Sequence, residues 1–307
     1  MSSVLIEELG PRGRRRALVG SVVSTALILA GLAFLLYRFQ QFGVLDADQW
    51  QPFTARVNLG FLFEGLLNTI KAAVTAAVLS IAAGFLLALG RLARTAPVRW
   101  ACRLYVELFR SVPLLIMIFA AFFGLPELGV DVSRYTALVV ALMIYNSAVL
   151  AEIFRAGILS LDKGQTEAAQ AIGLRYWQQM RIVILPQAVR RMIPAIVAQL
   201  ATITKDTALG FVIGYEEFLR RGQNFAEFAN NLLPSYIFVA IVYFVLIYVL
   251  SRLARRLEVQ QRRKLGASRL EVGGGVEDMD ALGEDADADA DLARDNITHS
   301  RNTGGGN

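Results

Sequence analysis

Histidine and cysteine are almost absent from this chain. Its 307 residues include one histidine, His299, and one cysteine, Cys102. A single cysteine excludes an intrachain disulfide framework. A single histidine near the C-terminal end excludes a histidine-based metal site or catalytic triad in the body of the chain. No G-x-x-x-x-G-K-[ST] stretch occurs, so the phosphate-cradling loop of a self-sufficient ATP-driven pump is missing. Ser80 and Ser111 have no histidine to activate them, and no Asp-Asp pair stands inside an apolar run. These gaps argue against an intramembrane enzyme.

Apolar side chains are abundant instead. Hydrophobic residues make up 55% of the chain and the mean hydropathy is +0.47, too apolar for an ordinary soluble domain. A helix needs roughly 20 apolar residues to cross a hydrocarbon core. Six runs meet that length: 17–37, 66–90, about 104–124, 135–154, about 193–213, and 236–251, the last begun a turn earlier. The first follows "RGRRR". It is too long for a signal-peptide core and lacks a small-x-small cleavage site, so it is expected to be a retained helix.

The net charge of +5 conceals an asymmetry. Residues 266–307 carry ten acids and three bases, and the remainder is strongly basic. The arginines flank the apolar runs, which fits membrane topology and not a nucleic-acid partner. With the N-terminus in the cytoplasm, 21 basic residues fall on cytoplasmic segments and five on external ones. The positive-inside rule therefore predicts an N-in, C-in protein. The tail "GEDADADADLARD" is too poor in apolar side chains to offset chain entropy and is expected to be disordered. The sequon-like Asn296-Ile297-Thr298 in it is read as a chance match.

The stretch from Lys163 to Arg191 is too polar to span and too helix-prone for a slack loop. Thr166 is expected to cap a helix starting at Glu167. Ala168, Ala169, Ala171 and Ile172 would form one small-residue face, and Gly173 would stop the helix. A second helix over about 176–184, with Met180, Val183 and Ile184 on its apolar face, would be broken by Pro186. Such a knob suits insertion into a groove on another protein. It equally suits an interfacial helix resting on headgroups.

Polar groups inside apolar runs are the remaining candidates. Lys205 and Asp206 fall mid-way along the fifth run, followed by Thr207. Neighbours on a helix point about 100° apart, so the two charges cannot both face one spot. They could form structural ion pairs, or act in gating or substrate contact. A lysine and an aspartate there would complement a solute that carries both a carboxylate and an ammonium. Asn146 and Ser147 in the fourth run are candidates for interhelical hydrogen bonds or for the pathway. Glu152 and Arg155, with Glu107 and Arg110, sit near the inner membrane boundary. They are candidates for inner-gate salt bridges or for a solvated rim. Pro113 is expected to kink the third helix or mark its start.

One segment carries a family resemblance. "EAAQAIGLRYWQQMRIVILP" resembles the EAA loop of ABC importer permeases. Glu167, Ala168, Ala169, Gly173, Leu185 and Pro186 match the pattern, with Val183 standing where isoleucine is usual. "YVELFRSVPLLIMIFAAFFGLP", "AEIFRAGILSLDKGQTEAA" and "KDTALGFVIGYEEFLRRGQ" are similar to segments of polar amino acid permeases. The likeness covers about residues 60–255, and its texture is closest to actinobacterial glutamate permease subunits.

The resemblance implies an all-α, polytopic fold. A five-helix permease core over 60–258 would contain the EAA loop at about 163–191. Residues 1–59 would add a first helix, and 259–307 the acidic tail. It further implies a transmembrane importer subunit without its own cofactor. Two partner ATPases would bind ATP and Mg. A second permease chain and an external amino acid binding protein would complete the complex. Glu167 to Gly173 would be the helix that docks on the ATPase. Glutamate is the expected cargo, with glutamine, aspartate, arginine or cystine as alternatives. A secondary transporter or channel lacking an ATPase is the rival class.

Overall fold

The computed structural model describes residues 10–260. Every regular element among them is helical. Helix α1 covers Pro11–Gln41. A short α2 (Ala47–Trp50) and a 3-10 turn lead into α3 (Arg56–Arg91). Helix α4 is Ala96–Ser111. After Val112 and Pro113 come α5 (Leu114–Phe119), a π turn (Ala120–Gly124) and α6 (Leu125–Glu127). Helix α7 is Arg134–Leu159 and α8 is Lys163–Ala171. A single turn, α9 (Tyr176–Gln178), runs through a π turn (Gln179–Ile184) into α10 (Leu185–Asp206). A 3-10 stretch (Thr207–Ile213), α11 (Phe218–Ala229) and α12 (Leu232–Gln260) follow.

Five of the helical segments are long and apolar enough to cross a membrane. The pair α4 and α5–α6 makes a sixth if its halves are counted as one span. This is the architecture of a multi-pass membrane protein, in line with the six runs in the sequence. The third run is not one helix: it starts earlier, at Ala96, and is interrupted at Val112–Pro113. Proline has no N–H to donate and biases its predecessor away from the helical region, and Pro113 takes the N-cap position of α5.

The fifth run also differs from expectation. Helical structure is continuous from Tyr176 to Ile213, so Pro186 does not break it. The π turn resets the hydrogen-bond register, with Leu185 N–H donating back to Met180 O. Pro186 then falls on the second residue of α10, where a missing N–H costs little. Expected tail disorder beyond Gln260, with His299 and Asn296, lies outside the described residues.

The chain divides into two compact units, each assembled from separated segments. One comprises the described parts of residues 1–78, 112–144 and 203–246. Its core gathers Phe53, Leu62, Phe218, Phe225 and Val239. The Phe53 ring lies 4.9 Å from both Phe225 and Phe238. Gly222 is required there, because a Cβ would stand 2.3 Å from a Val239 methyl. Helix α1 buries none of its apolar window within the chain.

The other unit comprises the described parts of residues 79–111, 145–202 and 247–307. Lipid tails are as apolar as leucine, so association here rests on close packing of small residues. Helices α3 and α7 meet at Gly84, where a Cβ would lie 2.9 Å from Ser147 O and Leu150 Cβ. Ala88, Ala148 and Ala151 are buried in the same unit. Its main cluster runs through Leu150, Phe154, Ile158, Leu161, Met180, Ile184, Ala188 and Met192.

Candidate functional site

The polar connection between α7 and α10 is an ordered hairpin. Asp162, not Thr166, caps α8: its extended backbone starts the helix, and Oδ1 accepts the Gly164 N–H at 2.9 Å. Both residues are good caps. The earlier one lies where the chain leaves α7 and must turn. The C-terminal end matches expectation. Gly173 adopts φ +80°, its N–H donates to Gln170 O, and the Leu174 N–H donates to Ala169 O at 3.1 Å. That pair of bonds is a Schellman stop, and the left-handed position favours glycine.

The expected small-residue face is split. Ala169 points inward and is buried, whereas Glu167, Ala168, Ala171 and Ile172 are exposed, Ile172 at 75%. The outward surface is therefore one acid, two alanines, one isoleucine and the Gly173 turn.

The knob stands on a firm base. Helix α8 packs on the π turn 179–184. Buried Gln179 donates from Nε2 to Leu174 O at 2.6 Å, and Gln187 donates to Oε1 of Gln165 at 3.1 Å. Arg191 donates to Ser160 O at 2.9 Å. Tyr176 reaches Leu92 O at 3.2 Å, with the Arg94 guanidinium 4.6 Å over its ring. Below, Met180 and Ile184 are buried, Val183 and Leu185 are half-buried, and Pro186 is exposed. These bonds tie the hairpin to the end of α7 and to the first turns of α10.

Glu152 lies in the same unit. Its carboxylate takes salt bridges from Arg91, at the end of α3, and from Arg155, one turn along α7. Arg91 is only 12% exposed, so this pair ties α3 to α7 in a partly dry setting. Gln199 of α10 donates to Asn146 Oδ1 at 2.8 Å, and Ser147 Oγ lies 3.1 Å from Tyr105 Oη. Asn146 and Ser147 are both fully buried. They thus link α7 to α10 and to α4, as expected of interhelical polar groups. Arg110 is exposed, and Glu107 pairs with Arg103 at 2.6 Å.

Lys205, Asp206 and Thr207 belong to the first unit. They lie at the end of α10 and the start of the 3-10 stretch, inside the continuous helical span Tyr176–Ile213. Lys205 is exposed, Asp206 is half-buried, and Thr207 is fully buried, donating to Thr204 O at 2.7 Å. Among the described residues neither charge forms a salt bridge.

Two polar features of that unit escaped the sequence reading. Lys71 interrupts the second run, and its ammonium lies 5.0 Å from the Tyr135 ring centroid. As a lone charge in an apolar run it was detectable. Glu217 is fully buried and caps α11, accepting the N–H groups of Leu219 and Arg220 at 2.7 Å. Burial pushes its carboxyl up to about 7, against the pull of those donors. Nothing local marks this, because its hydroxyl partner Tyr243 is on another helix. Among the described residues no group of three or more His, Cys, Asp or Glu could hold a metal ion.

Residues 80–263 match the family model of binding-protein-dependent transport system inner membrane components. The chain is similar to the glutamate transport system permease protein GluD of Corynebacterium glutamicum. Identity is 39% over 224 residues, 72% of this chain and 82% of that one. It is also 39% identical over 207 residues to the probable glutamine ABC transporter permease protein GlnP of Bacillus subtilis, covering 66% and 95% of the two chains. A solved structure of an amino acid ABC transporter with histidines superposes with a TM-score of 0.63 at 32% identity, over 66% of this chain and 94% of that one.

Proposed function

The chain belongs to the family of binding-protein-dependent transport system inner membrane components, and from that premise we propose that it is the transmembrane subunit of an ATP-driven amino acid importer. It sits in the cytoplasmic (inner) cell membrane with both termini inside. It performs no hydrolysis itself. Two partner ATPases bind ATP and Mg, a second and different permease chain completes the pathway, and an external binding protein delivers the amino acid. Membrane lipid is its remaining partner.

The observation that carries this reading is the α8 hairpin: an exposed, small-faced knob on a hydrogen-bonded base that joins α7 to α10. Closing of the ATPases pushes on Glu167, Ala168 and the Gly173 turn. Leu185 and Pro186, at the start of α10, carry the motion toward the membrane. Asn146, Ser147 and Glu152, bonded to three neighbouring helices, answer on the pathway side, with exposed Arg110 at the rim.

Glutamate is the cargo we favour. Similarity to a glutamate permease supports it, and Lys205, with no salt bridge among the described residues, is available for an acidic side chain beside Asp206 and Thr207. Uptake of labelled glutamate by a strain lacking this chain tests it. Loss of glutamate uptake that a plasmid copy restores is the expected result. Unchanged glutamate uptake with lost arginine or cystine uptake would overturn the cargo and keep the importer.

A further inference from the structure

A cleft of about 520 Å³ is lined by Arg91, Ala96, Arg99, Trp100, Arg103 and Arg155. Four guanidiniums and one indole thus surround a single opening. Glu152 balances part of the charge of Arg91 and Arg155, and Glu107 balances Arg103. Arg99 has no carboxylate partner among the described residues. Its Nη1 is spent on the carbonyls of Ala93 and Arg94, which pins the guanidinium across the turn between α3 and α4. The cleft therefore keeps a net positive charge, with Arg99 anchored on the backbone and Arg103 exposed.

Helix α4 shows what kind of anion fits. Trp100, Leu104 and Leu108 recur every four residues and form one exposed apolar stripe. Arg99, Arg103 and Glu107 form the adjacent stripe, one residue behind. Val106 is buried on the protein side. An exposed apolar strip running beside a row of arginines matches a molecule with an anionic head and a hydrocarbon tail. A free phosphate would use the arginines and leave Trp100, Leu104 and Leu108 in contact with nothing.

We infer that this cleft is a binding site for an anionic membrane phospholipid: the headgroup phosphate lies among Arg99, Arg103 and Arg155, and an acyl chain runs along Trp100, Leu104 and Leu108. The site is separate from the α8 knob and needs only that the chain spans a membrane. It holds α4 at the membrane surface, and through Arg91 and Arg155 it touches the same Glu152 that ties α3 to α7.

The test is native mass spectrometry of the full chain, purified with its complex and exchanged into phosphatidylglycerol or phosphatidylcholine at equal concentration. The unaltered chain is expected to retain phosphatidylglycerol preferentially and to keep it in about 10 mM inorganic phosphate. With each basic residue near the membrane surface worth about 1 kcal/mol, Arg99→Gln with Arg103→Gln lowers that retention roughly thirtyfold and leaves phosphatidylcholine retention unchanged. Equal retention of the two lipids by the unaltered chain overturns the site, and that comparison needs no variant. Displacement by inorganic phosphate would assign the cleft to a free anion instead. A folded double variant that keeps its phosphatidylglycerol would overturn the role of the arginines.

Discussion

Tyr243 donates its hydroxyl to Oε2 of Glu217 at 2.8 Å, joining α12 to the first residue ahead of α11. The same carboxylate caps α11 through Leu219 and Arg220 and has no access to solvent. Burial lifts its folded value to about 7, from about 4.5 for an ordinary glutamate. An acid raised on folding stabilises most when protonated. The stabilisation is complete below about pH 4.5 and is lost as pH rises through about 7. The half-unfolding temperature in detergent should therefore fall between pH 5 and pH 8. Glu217→Gln stays neutral throughout and should flatten that slope, at the cost of one cap acceptor worth about 1 kcal/mol. Equal slopes for the two proteins would show that Glu217 does not change protonation in the folded protein between pH 5 and pH 8.

The outward face of α8 gives the second prediction. Glu167→Lys reverses the one acid on that face, four residues from exposed Lys163, and Gly173→Asp places a carboxylate on the turn. Both variants should remain in the membrane while co-purified ATPase and uptake drop by more than about tenfold. Gly173→Asn separates geometry from surface, because asparagine tolerates the left-handed conformation at φ +80°. It should retain most activity, whereas Gly173→Ala should cost about 1 kcal/mol of local stability. Normal uptake by both charge variants would remove the docking role.

Beneath that face, Gln179 should act as a clamp. Its amide holds Leu174 O at 2.6 Å in a buried position. Gln179→Leu leaves the carbonyl unsatisfied, a penalty of about 1–3 kcal/mol. Since 1.4 kcal/mol is tenfold in an equilibrium, amide hydrogen exchange over residues 163–174 should quicken about 5- to 150-fold. Exchange in the centre of α7 should not change. Acceleration spread evenly over both segments would mean that the variant is globally destabilised, and the clamp would have no local role.

How much of this was legible in the sequence varies with the range of the forces involved. The membrane spans were, because hydrocarbon demands long apolar runs whatever their neighbours. The Gly173 stop and the Pro113 interruption were too, since each is a local backbone constraint. The cap of α8 lies four residues before Thr166 because Asp162 is the stronger cap of the two and sits where the chain leaves α7. Pro186 was read as a breaker because nothing in a sequence announces a π turn upstream. The inward turn of Ala169 was hidden as well, since its partner surface comes from the turn at 179–184. Glu152 was visible as a charge, but its partner Arg91 lies 61 residues earlier in the chain.

That long-range pair supports a last prediction. Glu152 neutralises two arginines of different exposure, 12% for Arg91 and 30% for Arg155. Removing the carboxylate with Glu152→Gln strands the drier guanidinium, and breaking a buried pair costs about 3–5 kcal/mol at full burial. Partial exposure here brings the expected loss to about 1–3 kcal/mol. Arg155→Gln should cost under about 1 kcal/mol, because Arg91 still balances Glu152 and the lost pair is the more solvated. Arg91→Gln with Glu152→Gln should be less damaging than the sum of its two single changes, with a coupling of about 1–3 kcal/mol. Denaturation of the four proteins in one detergent measures that coupling. Strict additivity would mean that the bridge between α3 and α7 is solvent-screened, leaving Gly84 and its alanine neighbours to hold the crossing by packing alone.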